Sequence, residues 1–64
     1  MLYNLEKERI MCGLSITTLA SKLGVSSTVL KKWICCSEPI PAGKLRLMYE
    51  IFGGKSLEYL LIKK

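Results

Sequence analysis

Gly13, Gly24, the pair Pro39 and Pro41, and Gly53–Gly54 cut this chain into five short pieces. Glycine and proline are the strongest local interrupters of regular structure. None of the five pieces shows the strict polar–apolar alternation of a half-buried strand, so all five read as helices. There is no repeat, low-complexity tract or linker, and the expectation is one all-α domain over residues 1–64. A chain of 64 residues hides only roughly 60% of the surface its unfolded form exposes, so its core is small. With 50% apolar residues, that core needs no metal or disulfide to hold it.

The helix signals can be placed piece by piece. Helix 1 is expected from about Leu5 to Cys12, with Asn4 as N-cap, Glu6 in the first turn and Gly13 as the stop. Cys12 is expected to act as a small core residue. Helix 2 runs from about Ile16 to Leu23 between the cap Ser15 and the terminator Gly24, with Leu19, Ala20 and Leu23 inward. Helix 3 runs from about Ser27 to Ile34 after the cap Ser26. Its inward stripe is Val29, Leu30 and Trp33, which leaves Ser27, Thr28, Lys31 and Lys32 facing out. A loop with Pro39 leads to helix 4, from Pro41 to about Phe52, with Leu45, Met48, Tyr49 and Phe52 on one face. Ser56 caps a last helix, Leu57 to Ile62.

Composition narrows the function classes. Ten Lys and Arg against five acids give a net charge of +5, which suits a polyanionic partner as well as simple solubility. Bases never run longer than two in a row, so there is no basic tail. The three cysteines, Cys12, Cys35 and Cys36, form no even-numbered disulfide framework, and without histidine they fall one ligand short of a usual structural zinc site. No metal or other cofactor is expected. No stretch is long and apolar enough to span a bilayer, and the charged start has no signal-peptide pattern, so a cytoplasmic protein without a membrane partner is expected. There is no histidine, no paired-acid constellation and no phosphate-cradling glycine loop, since Gly53–Gly54 is a helix stop. The expectation is a chain that is not an enzyme, with no small-molecule ligand evident.

The segment from Ile16 to Cys35 joins two short helices across a few residues. A steep corner of that kind needs a small residue in the first helix, here Ala20, and one tolerant of positive φ in the turn, here Gly24. It also needs apolar anchors, here Leu19, Leu23, Val25, Leu30 and Trp33.

On these residues the chain resembles the phage repressor and Cro family of helix-turn-helix proteins, the XRE type. The matching text is ERIMCGLSITTLASKLGVSSTVLKKW, with G-L-S before helix 2, L-A-x-K-L-G-V-S through the turn and L-x-x-W in helix 3. The ending FGGKSLEYLL is similar to the family's usual L-G-V-S-L-D-E-L-L, with one extra residue. The resemblance implies a compact five-helix, lambda-repressor-like domain with residues 16–35 as the motif. It implies that Ser27, Thr28, Lys31 and Lys32 read bases in the major groove. It implies phosphate contacts at the start of helix 2, Ile16 and Thr17, through free N–H groups, and at Ser37 and Lys44. The implied function is sequence-specific binding of double-stranded DNA by a homodimer acting as a transcriptional repressor on a palindrome, with half-sites about 34 Å apart.

Two positions depart from the family. Ile16 stands where a Gln often braces a phosphate contact. Ile34 stands where a Glu often pairs with the helix-1 arginine, so Arg9 must find a backbone carbonyl, Glu8 or solvent. Two alternatives stay open: the same fold used as a protein-binding module, such as an antitoxin or an enzyme inhibitor, or the DNA-binding head of a longer protein.

Overall fold

The computed structural model describes residues 1–63. Serine starts three of its five helices. Ser15 Oγ accepts the Thr18 N–H at 3.0 Å and opens α2 (Ile16–Leu23). Ser26 Oγ accepts the Val29 N–H at 3.2 Å and opens α3 (Ser27–Ile34). Ser56 Oγ accepts the Glu58 N–H at 3.2 Å and opens α5 (Leu57–Leu60). Each bond satisfies an N–H that helix geometry leaves without an intrahelical partner. The bounds of α2 and α3 match the expectation from sequence; α5 is two residues shorter.

The first helix corrects the sequence reading. Helix α1 spans Tyr3–Met11 and starts after Leu2 with no side-chain cap. The Leu2 N–H donates to the Ile34 carbonyl at 2.8 Å, tying the chain start to the end of α3. Asn4 is not the cap. It lies in the first turn, is buried, and its Nδ2 donates to the Tyr59 carbonyl at 3.0 Å. Cys12 is not in the core either; it is exposed beyond the last turn of α1.

Helix α4 spans Ala42–Ile51, with Pro41 at the N-cap position and its carbonyl accepting from Lys44 and Leu45. The expected apolar stripe is narrower than its spacing suggests. Met48 and Phe52 are buried and Leu45 is half-buried, while Tyr49 is 46% exposed.

The described residues form five helices and no strand, an all-α architecture with a Cα radius of gyration of 10.3 Å. Helix α2 packs against α3 and α4, and α1 packs against α5 and α3. The core joins Leu2 and Leu5 of the α1 side to Leu19, Ala20 and Leu23 of α2. Leu30, Trp33 and Ile34 of α3, Met48, Phe52 and Leu60 complete it. Leu5, Leu19, Leu23, Leu30, Met48 and Leu60 are fully buried, each contributing about 1.5–3 kcal/mol of apolar transfer. No described helix is long and apolar enough to cross a membrane.

Candidate functional site

Three residues, Gly24, Val25 and Ser26, join α2 to α3. Gly24 has φ +72°, and the chain reverses there through two bonds: Gly24 N–H to the Ser21 carbonyl at 3.1 Å, and Val25 N–H to the Ala20 carbonyl at 3.0 Å. Side-chain-bearing residues adopt this left-handed conformation at a cost, so glycine is the natural occupant. Ala20 is buried at the junction, and Leu19, Leu23, Leu30 and Trp33 lock both helices into the shared core. The anchors expected from sequence are thus brought together, with Val25 and Val29 half-buried at their edge.

The opposite side of α3 carries the polar residues. Thr28, Lys31 and Lys32 are exposed; Ser27 is half-buried. Ile34, not counted among the inward residues from its sequence, is 4% exposed and belongs to the core. It fills the position where the resemblance would place a glutamate.

Arg9 instead finds other partners. Its Nη1 donates to the Leu14 carbonyl at 2.6 Å, and its Nε and Nη2 engage the Glu6 carboxylate. The arginine therefore holds the loop just ahead of α2 to α1. Of the options open from sequence, the backbone carbonyl is realised; the acid is Glu6, one turn back, and not Glu8.

The remaining candidates fall into two groups. Thr17 and Ser37 are exposed. The N–H groups of Ile16 and Thr17 lie in the first turn of α2, where helix geometry provides no intrahelical acceptor. The Ile16 side chain itself packs half-buried against the core, so that residue offers only its backbone. Lys44 is half-buried, and its Nζ lies 3.4 Å from where a Cβ on Gly24 would stand. The start of α4 thus delivers an ammonium group to the α2–α3 corner.

Charge is distributed unevenly. Between Leu14 and Leu47 the chain has five bases, Lys22, Lys31, Lys32, Lys44 and Arg46, and a single acid, Glu38. The stretch before it, residues 1–13, has Glu6, Lys7, Glu8 and Arg9 and no net charge. Most of the chain's excess positive charge therefore belongs to residues 14–47; Glu50, later in α4, lies 3.7 Å from Arg46. Glu38 faces one of those bases directly, with Lys32 Nζ 3.5 Å from its Oε1. Helical periodicity could not reveal this pair, because Glu38 lies outside the helix.

The loop that carries Glu38 has its own peculiarity. Cys36 takes φ +63°, the conformation that Gly24 adopts after α2. Its N–H donates to the Trp33 carbonyl at 3.0 Å, and the Ser37 N–H donates to the Lys32 carbonyl at 2.8 Å. A cysteine in this position carries a steric penalty of about 1–2 kcal/mol. The half-buried side chain packs at the edge of the core, which offsets part of that cost.

All three cysteines are free thiols, and among the described residues no three metal-ligating side chains converge. Comparison with known protein families, with curated proteins and with solved structures finds no match for this chain.

Proposed function

We propose that α2 and α3 form a helix-turn-helix of the repressor and Cro type, and that the chain binds double-stranded DNA with sequence preference. In this reading α3 enters the major groove. Lys31 and Lys32 donate to guanine edges or phosphates, and Ser27 and Thr28 serve base or backbone. The backbone N–H groups of Ile16 and Thr17, together with Ser37 and Lys44, hold phosphates. One helix reads only a few base pairs, so useful specificity calls for a homodimer on a palindrome, and occlusion of a promoter gives repression. The observation that carries the reading is the joint placement of exposed Thr28, Lys31 and Lys32 on a helix fixed from behind by Leu30, Trp33 and Ile34. The surrounding segment also holds most of the net charge.

Selection of bound duplexes from a random pool tests this. The expected result is an enriched half-site repeated with two-fold symmetry, bound less tightly as salt rises. A pool that emerges without enrichment overturns the reading.

A second reading, a protein-binding module such as an antitoxin or enzyme inhibitor, draws support from α1. Tyr3, Ile10 and Met11 there, with Met1 just ahead of the helix, are 49–71% exposed. Partner affinity that hardly changes with salt would favour it.

A further inference from the structure

The one acid in the basic segment sits on one of the residues assigned to base reading. That placement is built in by the backbone. Left-handed Cys36 turns the chain at the end of α3, and the bond from the Ser37 N–H to the Lys32 carbonyl folds the loop back over the last turn. Glu38, the next residue, then lies beside the Lys32 side chain, Nζ to Oε1 3.5 Å, with both side chains half exposed.

An exposed pair of this kind contributes little to stability. Its electrostatic effect on a polyanion is larger. A phosphate approaching Lys32 must displace a carboxylate already there and then tolerate that carboxylate nearby. A duplex that offers only backbone phosphates meets this penalty in full. A site whose base edges engage α3 gains contacts that outweigh it.

Resting on the DNA-binding reading above, we infer that Glu38 is a specificity-determining residue: it competes with phosphate for Lys32 and holds down binding to non-cognate duplex. Among the described residues, neither Lys31 nor Lys44 has a carboxylate within 4.0 Å, so the effect is local to Lys32. Removing the carboxylate frees one cation for phosphate, and each phosphate neutralised adds about −0.9 to the slope of log affinity against log salt.

The test measures binding of the full chain to a short mixed-sequence duplex by fluorescence anisotropy, from about 50 to about 200 mM salt. Four proteins are compared: wild type, E38Q, K32Q and the double variant. The expected result is that E38Q binds about three- to tenfold more tightly at the low-salt end, with a slope steeper by about 0.9. In the K32Q background the same change has much less effect. Equal gains with and without Lys32 would reduce Glu38 to one unit of bulk charge and overturn the inference. So would an unchanged E38Q affinity while wild type binds the duplex. If neither wild type nor E38Q binds this duplex, the inference falls, while the duplex selection decides separately whether the DNA-binding reading falls with it. Circular dichroism of all four proteins checks that the fold is retained, as expected for exposed side chains.

Discussion

The corner between α2 and α3 and the seam between α1 and α5 join short helices differently. At the corner, the contacts between helices are apolar and the polar bonds are local, from the backbone and the Ser26 cap: Ala20, Leu19, Leu23, Leu30 and Trp33 are buried, and Gly24 closes the turn. At the seam, Leu5 and Leu60 share the core, and polar side chains anchored on buried Asn4 and Glu8 add a second set of joints. Asn4 Nδ2 donates to the Tyr59 carbonyl, the Tyr59 hydroxyl donates to Glu8 Oε2 at 3.1 Å, and Lys55 Nζ lies 3.9 Å from Glu8 Oε1. Every described buried side-chain nitrogen or oxygen has a hydrogen-bond partner. A hydrophobic joint tolerates any polar surroundings outside it. A polar joint depends on each partner and on its protonation state. The difference teaches where this molecule is robust and where it responds to solution conditions.

Mutations can break the contrast from either side. The largest effect is expected for Leu23→Ala, which empties a fully buried site at the corner and should cost about 2–5 kcal/mol, measured by urea unfolding. For a domain this small, such a loss approaches the whole of its stability. Gly24→Ala is next, at about 1–2 kcal/mol. It forces a β-carbon into the left-handed region, 3.4 Å from Lys44 Nζ. A thermal melt indistinguishable from wild type would show that the turn relaxes.

The seam should reveal itself through pH. Partial burial, and then the bond to and charge of Glu8, push the Tyr59 phenol above its ordinary value of 10.0. As pH rises past about 10, the unfolded chain loses this proton first while the folded chain keeps it, so stability falls through that window. Tyr59→Phe should therefore lie below wild type at neutral pH and close the gap as pH rises above 10, measured by paired denaturant titrations. A constant gap would place the Tyr59 contribution in packing alone. The smallest effect is expected for Met11→Ser on the exposed side of α1, within about 0.5 kcal/mol, because that side chain is 71% exposed.

The corner was legible in the sequence because local signals and burial pattern agree there. Ser15 and Ser26 cap as serine before an apolar stripe should, and Gly24 stops α2 where expected. The seam was not legible for the same kind of reason in reverse. Asn4 has the composition of a cap and the position of a buried cross-link, and its partner lies 55 residues away. Cysteine packs as a small apolar residue, which is why Cys12 reads as a core residue from sequence. The four-residue α5, about 6 Å long, cannot cover a nine-residue α1 of about 13 Å, so the far end of α1 stays in solvent. At the candidate site, the outward placement of Thr28, Lys31 and Lys32 follows from helical spacing. The pairing of Lys32 with Glu38 depends on a left-handed cysteine, a conformation that residue type does not announce.

The brevity of α5 has a kinetic side. A four-residue helix has no stability of its own, because the nucleus of a helix costs more than so few bonds return. It is held by Leu60 in the core, by Leu57, Tyr59 and Leu61 packed against that core, and by the Asn4–Tyr59–Glu8 bonds. Release of those few contacts detaches it without disturbing the capped pair α2 and α3. The α5 amides are therefore expected to exchange with solvent through an excursion cheaper than complete unfolding, which native-state hydrogen exchange would measure against the α2 and α3 amides.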